Sequence, residues 1–449
     1  MDTHKYLPFI IAVTIILYVF DFYFLKSWTK FIKEHKWNKV FYQLFWGIGI
    51  FVFAVSFYSL IMRIVDKMPH QIEKYLYLTT AIWYLPKIVI SPVLMIKDII
   101  KFIFKKLKGK NLANHLVNNN IQNDNEVSSA LIKNNSIINN ELSLYESEDL
   151  KELDSNYQID KGISRRKILK MAGWSIAGVP YIMVANGMIN TTYDYQIHKT
   201  EIPLFNLPNS LDGLRLVQLS DIHAGSFNSQ KPMERVAFLV NSLNPDLILI
   251  TGDFVNFEPD EIPFIFKSLK SLSAKYGVYG CLGNHDHYMT LEKQSQLIGL
   301  LQSAGINLLI NSNVKIEIEK EILQVAGIDN SSERIKFGDV GKALSGLDNS
   351  QPIILLSHDP INWDREVRGR TKVDLMLSGH THGGQIGVEI FGETITPTRI
   401  VYKQYAGLYR DRDQYLYVNR GIGTVGPPVR VGIPPEISLH ILRKASNLA

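Results

Sequence analysis

Residues 375–384 read LMLSGHTHGG, an apolar run followed by two histidines with one residue between them and then by two glycines. The apolar run is typical of a buried strand, and polar residues just beyond such a strand lie where open α/β sheets place their ligands. Because side chains alternate along an extended segment, His380 and His382 point to the same side and can serve one centre. The adjoining glycines would let the backbone come close to that centre.

Four earlier clusters repeat this arrangement of an apolar run followed by acidic, amide or histidine side chains. They are SDIHAG with Asp221 and His223, TGDF with Asp253, GNHDH with Asn284, His285 and Asp286, and SHDP with His358. Asp221 alone could cap a helix, and Asn284 alone could lie in a turn. Five ordered clusters at strand ends favour one shared centre instead.

Short apolar runs alternate with amphipathic patterns throughout this half of the chain, which predicts a layered α/β domain around a sheet core. The predicted strands are 214–219, 247–250, 278–282, 306–310, 353–356, 375–377, 415–418 and 437–441, and the clearest helices are 233–243 and 291–303.

The residue types suit a binuclear metal centre. Such a centre needs a bridging carboxylate together with nitrogen and oxygen ligands, and it holds two divalent ions about 3.5–4 Å apart. The pair binds phosphoryl oxygens and lowers the pKa of a water toward about 7. Mixed Asp, Asn and His ligands suit manganese, iron and zinc alike, so the sequence leaves the metal open.

The five clusters, in this order, resemble the sequence blocks of the calcineurin-like metallophosphoesterase superfamily over residues 214–385, and the tail at 419–442 resembles the endings of membrane-associated bacterial members. The resemblance implies a four-layer α/β/β/α sandwich preceded by transmembrane helices. It also implies residue roles. Asp221, His223 and His382 would ligate one metal, Asp253 would bridge, and Asn284, His358 and His380 would ligate the other. His285 would be the general acid, and Asp286 would orient it.

Other signals in this half are weaker. His287 has no role in the resemblance and is expected to face solvent or the substrate. Gly421, Gly423 and Gly426 spell GxGxxG, but the two prolines that follow block the helix of a dinucleotide fingerprint, so an irregular loop lining the site is expected. The flanking Arg420 and Arg430 could meet a phosphate or a lipid headgroup, or could be surface arginines. The single cysteine, Cys281, is expected to be buried on a strand.

Length and charge divide the chain. Its 449 residues exceed a single core of about 250–300 residues. Residues 1–200 carry a net charge of +8, and residues 201–449, the predicted catalytic domain, carry −3. A nucleic-acid enzyme usually presents a basic face, so this balance gives no strong sign of nucleic acid and disfavours a nuclease.

The first 110 residues are predicted to form a membrane domain. Three apolar stretches lie at 7–25, 41–62 and 75–96, and the second is about 33 Å long as a helix, enough for a hydrocarbon core of about 30 Å. Asp21 and Lys87 interrupt the first and third, and Lys87 is expected to snorkel or to face another helix. Lysines concentrate after the first and third stretches, which predicts that both segments are cytoplasmic and the N-terminus is outside.

The connection to the catalytic domain has two parts. Residues 111–160, with eleven asparagines at 111–140 and an acidic run after them, are predicted to be a disordered linker. Within 161–190, the motif SRRKILK resembles a twin-arginine export signal before a mildly apolar segment, 171–189. A plain fourth helix is the alternative, and both place 201–449 outside. If the segment stays at the surface, the catalytic domain is cytoplasmic.

These features predict a membrane-anchored, metal-dependent hydrolase of a phosphate ester or pyrophosphate. Tethering favours a lipid- or envelope-linked substrate. Relatives that the chain resembles cleave the pyrophosphate of UDP-2,3-diacylglucosamine, which lies on the cytoplasmic face, opposite to the expected side. The alternative from another class is a non-catalytic membrane sensor or scaffold. The oligomeric state cannot be read from the sequence.

Overall fold

The computed structural model of the chain describes residues 3–64, 70–123, 165–332, 335–390 and 393–445. Internal contacts group the chain into two compact units. One contains Pro8–Ala54 and Trp83–Tyr181, and the other contains Ile182–Ala449 together with Val55–Ile82 and Met1–Leu7. Each unit has its own apolar core.

Four long helices account for the described N-terminal residues: α1 Thr3–Glu34, α2 Val40–Ile64, α3 His70–Asn123 and α4 Arg165–Ile189. Within the described residues, three segments are long and apolar enough to span a membrane, namely Ile11–Glu34, Val40–Met62 and Met171–Tyr193. These correspond to the predicted stretches 7–25, 41–62 and 171–189. The predicted stretch 75–96 is helical within α3, but it is not one of the three.

A buried ion pair explains two charged residues in the apolar stretches. The Nζ atom of Lys87 lies 2.5 Å from Oδ1 of Asp21, and both side chains are nearly inaccessible. The indole N–H of Trp83 donates to the same carboxylate oxygen at 3.1 Å, and Lys87 Nζ lies 3.2 Å from the Trp83 ring centroid. Of the two expectations for Lys87, the structure therefore supports contact with another helix rather than snorkelling.

Helix α3 runs further than the sequence predicted. It ends at Asn123, so residues 111–123, assigned to the linker, are helical. Helix growth adds a hydrogen bond for each residue that is fixed, so an established lysine-rich helix can extend into poor helix-forming sequence. Residues 124–160 of the predicted linker lie outside the described residues. So does Ser164 of the twin-arginine-like motif, whose two arginines begin α4.

The second unit is built from two six-stranded sheets. Its strands are β1 Gln196–Leu204, β2 Arg215–Leu219, β3 Leu247–Thr251, β4 Val278–Cys281, β5 Ile306–Leu308, β6 Ser312–Ile318, β7 Glu321–Gly327, β8 Ser331–Ser332, β9 Ile335–Lys336, β10 Ile353–Leu356, β11 Leu375–Ser378, β12 Val388–Ile390, β13 Glu393–Ile395, β14 Gly407–Asp411, β15 Gln414–Val418 and β16 Glu436–Lys444. One sheet has the order β1-β16-β2-β3-β4-β5, the other β14-β15-β11-β10-β7-β6, and β8-β9 and β12-β13 form two-stranded ribbons.

The central strands of both sheets are parallel. In the first sheet β2, β3, β4 and β5 run in one direction, and in the second β7, β10, β11 and β15 do so. These strands read as nearly continuous apolar runs because both faces of a parallel sheet are covered. The carboxyl ends of neighbouring strands therefore meet at one edge of each sheet.

Three apolar clusters define four layers. The inner faces of the two sheets pack on each other through residues such as Leu249 and Leu356. Helices α5 Lys231–Ser242, α6 Ile262–Lys270 and α7 Leu291–Ser303 cover the first sheet, and α8 Val340–Leu344 covers the second together with the buried Trp363. This arrangement confirms the α/β/β/α sandwich. Cys281 is buried at the end of β4, as predicted.

Candidate metal centre

The loops that follow five parallel strands bring the predicted ligands together. Asp221 follows β2, Asp253 follows β3, Asn284 follows β4, His358 follows β10, and His380 follows β11. Three overlapping groups of His and Asp residues have ligand atoms within 4.8 Å of one another: Asp221, His223 and His382; His223, Asp253 and His285; and Asp253, His358 and His380. All but one of the predicted site carboxylates and histidines fall in these groups; the exception is Asp286.

The first group is compact and buried. The Nε2 atom of His382 lies 3.3 Å from Oδ1 of Asp221, and the Nε2 atom of His223 lies 3.9 Å from the same oxygen. The two imidazole rings stack with their centroids 5.0 Å apart. One carboxylate and two imidazoles therefore face a common point.

Asn284, His358 and His380 form the other ligand group, at the middle of which lies the Nε2 atom of His358. This atom lies 3.2 Å from Oδ1 of Asn284 and 3.2 Å from Nδ1 of His380. Its other ring nitrogen, Nδ1, donates to the Thr251 carbonyl at 2.6 Å. That bond fixes the ring so that Nε2 faces the centre, which is the usual support for a metal-ligating histidine.

Asp253 lies between the two groups. Its Oδ2 atom is 3.5 Å from Nε2 of His223 and 3.1 Å from Nε2 of His358. Its Oδ1 atom accepts the backbone N–H of His285 at 2.8 Å. One carboxylate oxygen is thus anchored, and the other faces both groups.

Several buried ring nitrogens lack hydrogen-bond partners. Within the described part of the chain, neither ring nitrogen of His223 has one, nor does Nε2 of His382. Buried polar groups are nearly always satisfied, so unpaired nitrogens beside two buried carboxylates need an explanation. A divalent metal ion held by the Nε2 atoms of His223 and His382, which lie beside the carboxylates, would explain these two nitrogens, and the donor set fits a divalent metal centre.

The titration of the histidines follows from their surroundings. Burial lowers the pKa of His223 and of His382 well below its ordinary value, and it lowers that of His380. Burial opposes protonation of His358 too, but the carboxylate of Asp253 outweighs this and raises its pKa to about 10. Three of the histidines are therefore neutral at pH 7, as metal ligands must be, whereas His358 of the metal-free chain carries a proton.

Two tyrosines that the sequence did not single out support the ligands. The hydroxyl of Tyr402 lies 2.8 Å from Nε2 of His380, and the amide of Asn284 donates to the hydroxyl of Tyr288 at 2.7 Å. The second contact leaves the amide oxygen of Asn284 directed at the centre. Tyr288 directly follows the GNHDH cluster, but nothing in the spacing points to Tyr402.

The structure corrects the role expected of Asp286. The Nδ1 atom of His285 is 2.7 Å from the carbonyl of Asn256, so this carbonyl, not Asp286, orients the ring. The carboxylate of Asp286 points the other way and accepts the backbone N–H groups of Gly283, Asp253, Phe254 and Val255. Asp286 therefore ties the loop after β3 to the loop after β4.

His287 does not face solvent, contrary to one of the two expectations. Its side chain is 6% exposed, and its Nε2 atom lies 2.7 Å from Oδ1 of Asp329. Its Nδ1 atom is 2.7 Å from the amide of Gln294, and its ring stacks on Phe337. Both nitrogens are used in holding the GNHDH turn against α7 and the loop after β7.

The backbone of the ligand loops lies in a region that residues with a Cβ atom rarely adopt. The φ angles are 49° at Asp221, 44° at His223, 55° at Asp253, 69° at His380 and 51° at His382. Each such residue costs about 1–2 kcal/mol. Strain repeated at five predicted ligands is typical of a functional site whose geometry the surrounding fold enforces.

The glycine-containing loop at 419–433 lies against the first group, as the sequence predicted. The backbone N–H of Gly423 donates to the Asp221 carbonyl at 2.8 Å. Arg430 is fully buried and donates to the carbonyls of Gly421 and Gly423, and Arg420 pairs with Glu436 at 2.8 Å. Neither is a free surface arginine. Both stabilise the loop, and the Nη2 atom of Arg430 also lies 3.4 Å from Nδ1 of His382.

Comparison with known proteins covers both halves of the chain. Residues 214–384 match the family described as calcineurin-like phosphoesterase, and residues 7–192 match the family described as probable calcineurin-like phosphoesterase, transmembrane domain. A transmembrane protein with metallophosphoesterase domain from Danio rerio is 35% identical over 59% of this chain and 61% of its own length. The chain therefore spans less than two thirds of that relative.

Two bacterial relatives are covered almost completely. An uncharacterised metallophosphoesterase from Bacillus subtilis is 31% identical over 64% of this chain and 100% of its own length. One from Aquifex aeolicus is 30% identical over 57% of this chain and 95% of its own length.

Proposed function

We propose that the chain, which belongs to the calcineurin-like metallophosphoesterase family, hydrolyses a phosphate ester or pyrophosphate bond with the help of two divalent metal ions. The observation that carries the proposal is the position of Asp253, whose free oxygen faces His223 on one side and His358 on the other. One carboxylate oxygen shared between two ligand groups is the arrangement that a binuclear centre requires.

The residues divide into two ligand sets around that oxygen. Asp221, His223 and His382 would hold one ion, and Asn284, His358 and His380 the other. When bound, manganese, iron or zinc ions would neutralise phosphoryl charge and make a water nucleophilic near neutral pH. The protein's own contribution is to keep three imidazoles neutral by burial and to keep every ring oriented by a hydrogen bond or by packing.

His285 is the residue that we assign to protonation of the leaving group. Its Nδ1–H donates to the Asn256 carbonyl, so its Nε2 atom is the one that can exchange a proton with a substrate. The ring lies edge-to-face with His223, with the centroids 4.7 Å apart, which puts it beside the ligands. No side chain of the chain needs to form a covalent intermediate in this scheme.

We further propose that the substrate is carried by a lipid or another component of the cell envelope, because the site and three candidate membrane spans share one chain. The proposed side of the membrane for residues 201–449 is extracytoplasmic. UDP-2,3-diacylglucosamine and similar molecules belong to this class only if the domain is cytoplasmic. Protease accessibility in intact and permeabilised cells separates the two sides.

The test of catalysis uses leaving groups of different acidity. The full-length protein in detergent is stripped with a chelator, and hydrolysis of bis(nitrophenyl) phosphate and of diphenyl phosphate is measured as manganese is added back. The wild type should require the metal. His285→Ala should slow the phenyl substrate about 10²–10⁴-fold but the nitrophenyl substrate much less, because nitrophenolate leaves without a proton.

Each other outcome has a definite meaning. If His285→Ala loses the same factor in rate on both substrates, His285 is not the general acid. The proposal that the chain hydrolyses phosphate esters would still stand. Metal binding without turnover on either substrate would instead identify a non-catalytic sensor or scaffold. His287→Gln is a suitable comparison variant, since its ring lies in the same turn but is held away from the ligands.

A further inference from the structure

A two-stranded ribbon beside the metal centre exposes an apolar face. Val388 and Ile390 lie two residues apart on β12 and so share a face, and Val388 pairs directly with Ile395 on β13. These three side chains are 38%, 45% and 50% exposed. In an antiparallel pair, opposite residues point to the same side, so the three aliphatic side chains form one continuous surface.

A short helix that begins three residues after the ribbon carries two more exposed aliphatic side chains. In α9, Thr398–Val401, Ile400 is 89% exposed and Val401 is 76% exposed. The five residues Val388, Ile390, Ile395, Ile400 and Val401 are called the apolar rim below. The next residue is Tyr402, whose hydroxyl contacts the metal-centre residue His380, so the apolar rim borders the site directly.

The apolar rim is also joined to the end of a candidate membrane span. The N–H of Gly387, which precedes β12, donates to the carbonyl of Val431 at 2.8 Å. Val431 in turn packs on Gly187 in the last turn of α4, where a Cβ would lie 3.0 Å from its side chain. Arg430 N donates to the Thr192 hydroxyl at 3.0 Å. Gly187 and Thr192 both lie in the span Met171–Tyr193.

We propose that the apolar rim inserts into the surface of the lipid bilayer that α4 enters, and thereby holds the metal centre at the level of lipid headgroups. Contiguous exposed aliphatic side chains are unfavourable in water and mark an interaction surface. Val431 alone lies between Gly387, next to the ribbon, and Gly187 in a helix that a membrane would surround, so the bilayer is the partner that is already present. Tethering by α4 makes even shallow insertion effective. The use of this contact for a lipid-borne phosphate ester rests on the proposed function.

The insertion can be measured without any activity. Cys281 is the chain's only cysteine and is buried, so Ile400→Cys provides a single site for a polarity-sensitive fluorophore. The full-length protein is reconstituted into vesicles of phosphatidylethanolamine and phosphatidylglycerol. Phe238→Cys on α5, where Phe238 is 71% exposed, is the matched control.

The label at residue 400 should shift its emission to the blue and be quenched by brominated acyl chains, whereas the label at residue 238 should not. Equal, water-like emission and no quenching at residue 400 would overturn the proposal. A blue shift that grows with protein density, without quenching by lipid, would show a second copy of the chain on the apolar rim and would overturn it as well.

A paired activity assay separates this inference from the proposed function. The variant Ile395→Ser with Ile400→Ser should hydrolyse a soluble nitrophenyl diester at the wild-type rate. It should hydrolyse an acyl-chain-bearing nitrophenyl diester embedded in vesicles about tenfold more slowly, a loss that Phe238→Ser should not show. If the wild type hydrolyses neither substrate, the proposed function fails, and fluorescence still decides the insertion. If the vesicle substrate is hydrolysed equally by all variants, the role in substrate access is wrong.

Discussion

The Oδ2 atom of Asp253 lies 3.1 Å from the Nε2 atom of His358, and the two side chains form a buried ion pair in the metal-free chain. Burial opposes both charges, but their mutual attraction is stronger. It holds the pKa of Asp253 well below its ordinary value and raises the pKa of His358 to about 10. A metal ion bound by these two residues would therefore replace a proton on His358.

Metal affinity at the Asn284, His358 and His380 group should consequently increase with pH. Because the folded pKa of His358 is about 10, the proton must be displaced at any lower pH, and affinity should rise about tenfold per pH unit between pH 6 and 8. The other group should show little dependence, since His223 and His382 are already neutral. Competition with a chelator at several pH values measures both, and equal slopes would contradict the assignment. His358→Gln should abolish the slope.

The ion pair also predicts how the metal-free protein responds to pH. A raised pKa for His358 means that its stabilising contribution is complete below its ordinary pKa of 6.5 and is lost as the pH rises toward about 10. The midpoint temperature of unfolding of the chelator-treated protein should therefore fall over that interval. The same protein saturated with manganese should show a smaller fall, because there the proton has already been displaced.

Asp253→Asn should remove turnover and one of the two metal ions. An amide oxygen is a weaker ligand than a carboxylate and does not neutralise two cations, so the shared position should be lost. Metal content per chain, measured after desalting, should fall from two to at most one, whereas His285→Ala should keep both. Full activity of Asp253→Asn with added metal would rule out the bridging role.

The parts of the site that could be predicted from sequence are those in which an apolar strand and its ligand are adjacent in the chain. Asp221, Asp253 and His358 each follow a run that is buried on both faces, so strand and ligand are recognised together. Strands β6 and β12 were not predicted, because the predicted strands rested on continuous apolar runs, whereas β6 alternates polar with apolar residues and β12 has only three residues.

The remainder depends on contacts between distant residues. The carbonyl of Asn256 meets His285 across 29 positions, and Lys87 meets Asp21 across 66. A contact made by a backbone carbonyl cannot be recognised from the sequence. Asp21 or Lys87, taken alone, appears only as a charged residue that interrupts an apolar stretch. The orienting role that the resemblance implied for Asp286 was wrong, because the carboxylate binds backbone N–H groups of the loops after β3 and β4 and the Asn256 carbonyl contacts His285 instead.

Asp286→Ala should destabilise the catalytic unit rather than only slow the reaction. Four backbone N–H groups would lose their acceptor in a buried region, and each unsatisfied donor costs about 1–3 kcal/mol. We expect a clearly lower midpoint temperature of unfolding and loss of bound metal. Asn256→Ala retains the backbone carbonyl that holds His285 and should leave the metal content unchanged. A folded, metal-loaded Asp286→Ala protein would contradict the structural role.

The ion pair between Asp21 and Lys87 should add little net stability compared with an apolar pair. Removal of either partner alone should nevertheless be strongly destabilising. Asp21→Leu leaves a buried cation without its partner, and Lys87→Leu leaves a buried anion. Each single change should destabilise the unit that contains Pro8–Ala54 and Trp83–Tyr181 by about 3–5 kcal/mol, and the double variant should recover most of that loss. Unfolding in mixed detergent micelles gives the three free energies. Additive losses in the double variant would show that the two residues act independently.

Gly379 offers the sharpest test of how tightly the fold encloses the centre. A Cβ at this position would overlap the hydroxyl of Ser220 and the Oδ2 atom of Asp221, so Gly379→Ala must displace a ligand or the strand that carries it. A shift of about 1 Å in such a site is enough to reduce turnover about 100-fold. Gly299→Ala is the matched control, because a Cβ there, on α7, would have no heavy atom within 4 Å among the described residues. Alanine in that helix should slightly stabilise the protein and leave turnover unchanged. If Gly379→Ala and Gly299→Ala have equal turnover and metal content, the segments after β2 and β11 can move apart freely. The positive φ angles at five predicted ligands argue against such freedom.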